Sequence, residues 1–498
     1  MDKQEDSYAN IVKSTGIFGG SQLFNILIGV LRTKVVAVLL GPNGLGLMSL
    51  YQSVVDMLRS FSDLGLSFSS VRDLSAARAS KDPARLSKML SVFRPLLWFT
   101  ALLGALLCIA FSRQISLLAF KDEAHVLPVC CLSLAVFMTT LSAGQRAVLQ
   151  GLRRIGDMAK ANILGSLLSF LVCAVLFWLL GEKAIIPAIL LMSFCLLMVS
   201  AYYTLRLKLN YLPVGLKEIF IKGRSMLRLG FFSMTVGLIA SLCNFLMRSW
   251  IGQWGSLDDL GCYQATWAIT AMSLSAIFTA MAADYYPRLC AICDDNAAIS
   301  RSVNEQFRIS VLISSLVVML MVVLAGYVIR IFYSSKFLPA VPLLQWQVLG
   351  CFLKVMNWPL AYVVLGKAKG WMYLGIESLW YAIYLGAFAL LWPACGLMSA
   401  AYAYCLAHIV YTLVVYLLVR RLCQFSIAGY NVRIILIFCT LVLAVFLLSQ
   451  MAMPQVYRLL SQLFVLLAAI VYLCYEIRQI WSWQDLKAAL AKRLKKRQ

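Results

Sequence analysis

Five basic side chains stand where a basic residue is expensive. Arg32, Lys34, Arg59, Arg248 and Lys354 each fall inside, or at the end of, a long apolar segment. A Lys or Arg at the centre of a membrane helix costs about 2.5–3.5 kcal/mol on insertion scales, so five facing lipid would cost on the order of 12–17 kcal/mol. They are therefore expected to face an interior cavity. Surplus positive charge in such a space selects an anion, and phosphate groups suit guanidinium and ammonium donors well. With a potential negative inside, outward movement of two negative charges is favoured by about 4–5 kcal/mol per 100 mV.

The neighbouring residues sharpen this picture. Arg32 and Lys34 point about 200° apart on one helix, so only one is expected in the cavity while the other snorkels or pairs. Asp56, Arg59 and Asp63 form a polar stripe at i, i+3, i+7, and mutual neutralisation is favoured over ligand contact. Glu377 and His408 are the groups placed to titrate during transport, although an intramembrane His is more often a hydrogen-bonded packing residue. Glu377 and the helix 2 acids are expected to pair with the basic residues when the cavity is empty. Gly16 and Gly20, a GxxxG pair, read as helix packing.

Other chemistry finds little support. Cys290 and Cys293 form an isolated C-x-x-C, but zinc wants four ligands and only two His are present, His125 and His408. No P-loop, nucleotide-binding glycine fingerprint or His-rich cluster is found, so neither an enzyme nor a cofactor is expected. Loops on the expected outer face are short, which counts against a membrane glycosyltransferase or polymerase.

The elements that must position these residues are membrane helices. The 498-residue chain is 62% hydrophobic and 13% charged, with a mean hydropathy of +0.84, which excludes a water-soluble globule. Fourteen apolar segments, from 14–40 to 457–475, each reach membrane-spanning length. The net charge of +23 would suggest nucleic acid in a soluble protein. Here it follows the loops. Those on one side, with both termini, hold 33 Lys and Arg against 7 on the other, which puts both termini in the cytoplasm and leaves nucleic acid out. The polar, acidic start of the chain is not a removable signal peptide. From Trp481 to Arg497, Leu486, Leu490 and Leu494 recur at helical spacing among basic residues, which reads as an interfacial helix on anionic headgroups or a frayed basic tail.

The chain also repeats itself at an offset of 215 residues: Lys13 with Arg228, Gly46 with Gly261, Gly151 with Gly366, Gly181 with Gly396, Arg206 with Arg421. Six helices separate the copies, so the halves are expected to cross the membrane in the same sense, related by a pseudo-twofold along the membrane normal. The expected architecture is all-α and polytopic. Residues 1–210 form an N-lobe of six helices, 211–425 a C-lobe of six, 426–476 two extra helices, and 477–498 a basic amphipathic tail. Arg32 maps to position 247, so the basic ends of the first and seventh helices are expected to flank one space.

Several stretches resemble a family. Lys34-Val35-Val36-Ala37 with Gly41-Pro42-Asn43-Gly44-Leu45-Gly46-Leu47 is similar to the first-helix pattern of lipid-linked oligosaccharide flippases serving O-antigen and enterobacterial common antigen synthesis. These belong to the multidrug/oligosaccharidyl-lipid/polysaccharide exporter superfamily. Met247-Arg248 with Asp258-Asp259-Leu260-Gly261 resembles the seventh helix and its loop. Lys336-Phe337, Trp346-Gln347-Val348-Leu349-Gly350 and Lys354 resemble the tenth-helix region, and Tyr373 with Glu377 the eleventh. The resemblance covers about residues 10–425 and carries Lys34, Arg248 and Lys354. Arg32, Asp56, Arg59 and Asp63 lie outside its pattern.

The resemblance implies a bacterial inner-membrane transporter that moves an undecaprenyl-diphosphate-linked sugar unit to the outer leaflet by alternating access. Its expected partners are the lipid-linked oligosaccharide, membrane lipids, a polysaccharide polymerase and a chain-length regulator. Coupling to H+ or Na+ stays open. A cation-coupled multidrug antiporter of the same superfamily is the alternative, and it would want a cavity dominated by carboxylates or aromatics.

Overall fold

A computed structural model describes residues 2–80, 82–367 and 369–480. Among them sixteen α-helices follow one another: α1 Asp2–Leu39, α2 Gly41–Ser62, α3 Leu66–Ala79, α4 Pro83–Ala110, α5 Ser112–Phe120, α6 Val126–Gly151, α7 Ile155–Leu180, α8 Ile185–Leu205, α9 Leu216–Trp254, α10 Leu257–Ala291, α11 Asn296–Phe332, α12 Val341–Gly366, α13 Gly370–Cys395, α14 Ser399–Cys423, α15 Gly429–Gln450 and α16 Gln455–Ile480. Fourteen exceed twenty residues, and each overlaps one of the fourteen apolar segments. The expected tail helix, Trp481 to Arg497, lies outside the described residues.

Ten stretches of the described chain are long and apolar enough to cross a membrane, and two of them, Ile155–Leu205 and Gly370–Cys423, each contain two consecutive helices. α2 and α10 do not meet that standard. The reason lies in their packing: the two helices cross each other, and α2 carries Asp56 and Arg59 into a cavity it shares with α9. Leu390, Phe464 and Trp178 are at least 75% exposed, as a hydrocarbon solvent allows and water would not.

Two short helices come from segments read as loops. Gly65, at φ +72°, turns the chain at the end of α2, and α3 then buries Leu66, Leu74 and Ala77, with Leu74 under Gly151 of α6. α5 buries Ile115 and Ala119, and the Ser249 hydroxyl and Gln253 amide of α9 both donate to its Leu118 carbonyl. Both are amphipathic and too short or too polar for hydropathy to mark.

The helix order is echoed at the 215-residue offset. α6 and α12 differ by that number at both ends, as do α7 and α13, and Gly181 (φ +55°) and Gly396 (φ +53°) make equivalent turns. α1 packs on α7, α7 on α8, α8 on α6 and α6 on α4; likewise α9 packs on α13, α13 on α14, α14 on α12 and α12 on α11. α2 and α10 cross at glycines: a Cβ on Gly46 would stand 2.2 Å from the Leu257 carbonyl oxygen, and one on Gly261 2.0 Å from that of Pro42. Gly20 does not pack this way, since a Cβ there would meet nothing within 4 Å.

α15 and α16 dock on α11. Asn304 of α11 takes the Ala428 amide at 2.9 Å, donates to the Ser426 carbonyl at 3.0 Å, and receives Asn431 at 2.9 Å, which pins the α14–α15 linker. Farther along, Glu476 of α16 pairs with Arg308 at 2.5 Å and Arg433 at 3.2 Å.

Candidate functional site

α2 and α9 face each other across a cavity of about 310 Å³, into which α2 places Asp56 and Arg59 and α9 places Asn244 and Arg248. Ser60 of α2 and Ser241 of α9 bridge it with hydroxyls 2.7 Å apart. Arg248 donates to the Gln264 side-chain oxygen through Nη2 at 2.9 Å and Nε at 3.2 Å, and through Nη1 to the Asn244 carbonyl at 3.1 Å. Every one of these acceptors is neutral, so the fork is oriented and its charge is kept.

On helix 2 the expected neutralisation takes no direct ion pair within 4 Å among the described residues, only the electrostatic proximity of Asp56 and Arg59. Among the described residues Arg59 has no hydrogen-bond or ion-pair partner; Asp56 accepts from Gln52 at 3.3 Å, and Asp63 accepts from the Ser67 hydroxyl at 2.5 Å. Asp63 caps α2, its backbone N–H on the Arg59 carbonyl, and its carboxylate is taken by Ser67 of α3. Asp56 remains within electrostatic reach of Arg59 and Arg248.

A second cavity of about 310 Å³ adjoins the first, sharing Asn244 and Trp267. It lies among α9, α10, α12, α13 and α14, and ten of its twenty-one lining residues are Trp, Tyr or Phe. Lys354, Glu377 and His408 all open onto it. Lys354 sits 5.7 Å above the Phe278 ring and has no carboxylate within 4 Å among the described residues. The expected Glu377 to Lys354 pair is not made, because the Tyr411 hydroxyl holds Glu377 at 2.8 Å. His408 takes Asn357 at 3.2 Å through Nδ1 and packs 5.1 Å from the Trp380 ring. Its Nε2 and the Trp380 Nε1 are buried without a partner. In a close-packed protein such orphaned atoms are rare, and they mark a place that water or a ligand's hydroxyl would fill.

Comparison with known proteins places this architecture. The sequence profile of polysaccharide biosynthesis proteins matches residues 35–342. The chain belongs to that family. Over 414 residues it is 24% identical to the lipid III flippase of Escherichia coli K12, covering 81% of this chain and 96% of that one. Two solved structures share the fold at a TM-score of 0.66. One is an inward-facing multidrug-resistance MATE transporter of the MOP superfamily, at 17% identity over 82% of this chain and 96% of that one; the other is the lipid II flippase MurJ in an inward closed conformation, at 14% identity over 93% and 98%. This member of the polysaccharide biosynthesis family is thus an all-α, multi-pass membrane protein, and its relatives are transporters and flippases rather than enzymes.

Within the family member's fold, two basic residues from the sequence stand apart from the joined cavities. Lys34 donates to the Ile331 carbonyl at 2.6 Å in the last turn of α11, which anchors it away from the joined cavities. Arg32 lines a separate cavity of about 220 Å³ with Thr33, Met272 and Tyr333, and its Nη1 lies 3.8 Å from the Met192 sulfur. Among the described residues Arg32 and Arg248 line different cavities, and α1 packs against α7, α2 and α11. Arg146 of α6, in contrast, was not singled out, yet it lies within electrostatic reach of Arg59 and has no partner among the described residues. It stands near the end of an apolar segment and so was counted with the following loop. The available signal is a cation more than one turn inside a helix boundary. Among the described residues no three His, Cys, Asp or Glu gather as a metal site.

Proposed function

We propose that this protein is a flippase that carries undecaprenyl-diphosphate-linked oligosaccharide units from the cytoplasmic to the outer leaflet by alternating access, for O-antigen, capsule or another surface polysaccharide. The observation that carries this reading is that Arg59, Arg248 and Lys354, none paired with a carboxylate among the described residues, line two cavities that join at Asn244 and Trp267. Arg59 and Arg248 hold the diphosphate. The aromatic cavity offers ring faces to the sugars and Tyr hydroxyls to their oxygens, and each cavity is of a size found for ligand sites. Lys354 adds a cation to the aromatic cavity, and Glu377 and Asp56 limit the excess of positive charge when no substrate is bound.

In this reading the fourteen long helices each cross the bacterial inner membrane, with both termini in the cytoplasm. Residues 1–210 and 211–425 are two lobes about a pseudo-twofold, which the matching helix bounds and the reciprocal Gly46 and Gly261 contacts support. Those glycines close the outer side, so the substrate enters from within.

The test is export in cells lacking the native protein. Arg248→Ala and Lys354→Ala are each expected to insert normally and cut surface glycan about tenfold or more, since a charge-assisted hydrogen bond is worth roughly 1.5–3 kcal/mol. Full glycan in both single variants and in the double variant would defeat the assignment. The aromatic lining favours one second reading, a multidrug antiporter. Efflux of a cationic dye that depends on Glu377 and survives loss of Arg248 would establish it instead.

A further inference from the structure

A third polar space lies away from the substrate chamber, where α15 and α16 meet α11 and α12. It measures about 540 Å³ and holds Arg330, Arg458, Gln345, Gln450, Gln455 and Gln462. No carboxylate lines it. Among the described residues neither guanidinium has a hydrogen-bond or ion-pair partner, although both Gln345 (9% exposed) and Gln462 (4% exposed) are buried and fixed, donating to the Val322 and Val445 carbonyls at 3.1 and 3.3 Å.

Two features argue against a mere solvated surface. In the orientation proposed above, on which this inference rests, this is the outer face, where only seven basic residues are found and the positive-inside rule disfavours them. Arg458 also stands in the first turn of α16, which has no acidic residue, so the positive end of that helix repels it. A bound anion would satisfy Arg330, Arg458 and the helix end together. Leu460 and Phe464 of α16, 58% and 75% exposed, mark the lipid beside it.

We propose that this cavity binds the phosphate of an anionic lipid headgroup in the outer leaflet, the guanidinium groups taking the phosphate and the glutamines the headgroup hydroxyls. It is a site separate from the transport chamber, and it assigns a purpose to the α15–α16 hairpin.

Purified protein in neutral detergent, titrated with phosphatidylglycerol, phosphatidylcholine or inorganic phosphate and read by native mass spectrometry, tests the site. Phosphatidylglycerol is expected to bind about tenfold more weakly to R330Q/R458Q, and several-fold more weakly to Q462L, while phosphatidylcholine binds poorly to all because its ammonium group meets two arginines. Saturable inorganic phosphate binding that the double variant loses, with no preference for the lipid, would assign the same site to soluble phosphate. Equal phosphatidylglycerol retention by wild type, R330Q/R458Q and Q462L overturns the proposal. The lipid-free unfolding temperature checks the fold of each variant, and Q462L, which keeps both charges, stands in if the double variant is unstable. Glycan export by R330Q/R458Q reads the transport reading separately, since these residues lie outside the chamber.

Discussion

Gly46 and Gly261 meet across the α2–α10 crossing, each too close to the opposing backbone to accept a methyl group. The contacts are reciprocal: Gly46 faces Leu257 and Gly261 faces Pro42, and the 215-residue offset carries Gly46 onto Gly261 and Pro42 onto Leu257. Gly261→Val is expected to prise these ends apart, because the backbone of α2 cannot yield as a flexible side chain would. Cys243, which lines the aromatic cavity, then becomes reactive to an impermeant maleimide added from outside. Peptide mass spectrometry should show several-fold more labelling at Cys243 than in wild type. Unchanged labelling would mean that this crossing does not seal the chamber.

The Tyr411 hydroxyl gives a second expectation. It donates to Glu377, and in doing so keeps that carboxylate from Lys354. Tyr411→Phe removes the donor, and Glu377 then turns to the ammonium and competes with the substrate for it. Half-saturating substrate in a proteoliposome flipping assay should rise about tenfold, the scale of one charged hydrogen bond. Tyr411→Phe/Glu377→Gln should recover most of the loss, a non-additivity expected only of directly coupled groups. Simple addition of the two single effects would refute the coupling.

How much of this could be read from the residues depends on which physical rule governs each part. The fourteen long helices were legible because hydropathy reports lipid exposure, and the repeat because its turns reuse glycines such as Gly181 and Gly396. α3 and α5 were not, since at 14 and 9 residues each is too short for a membrane-length apolar run to mark. In the site, insertion cost marked Arg59, Arg248 and Lys354, and the structure places them on the joined cavities. The same cost says nothing of direction around the helix, so it could not separate these from Lys34, which ends on a carbonyl. Spacing along helix 2 suggested ion pairs, but it could not show that Ser67 of α3 and Gln52 would donate to the two carboxylates instead.

Arg146 beside Arg59 sets up an opposed pair of effects. Two cations within electrostatic reach, without a described carboxylate partner, repel each other until an anion arrives. Arg146→Gln should therefore raise the substrate-free unfolding temperature by about 1 °C, the shift on the order of 1 kcal/mol makes in a chain of this length, while lowering glycan export. Stabilisation with undiminished export would make Arg146 a residue of the fold alone, and destabilisation would show that it has a partner the cavity supplies.

His125 predicts the response of the α5–α6 turn to acid. Its ring stacks on Phe120 with centroids 4.0 Å apart, and its Nδ1 lies 2.6 Å from the Tyr51 hydroxyl of α2. Burial pushes its pKa below the ordinary value, with Asp122 opposing. A group with a depressed folded pKa favours the neutral form, so its contribution is complete above the unfolded value and is lost as pH falls through the folded one. The neutral ring accepts the Tyr51 proton, and the imidazolium cannot. The unfolding temperature of wild type should thus decline as pH drops below about 6.5, the free imidazole value, whereas His125→Gln should lack that component and show a flatter profile. Parallel profiles for the two proteins would assign the acid sensitivity to another group.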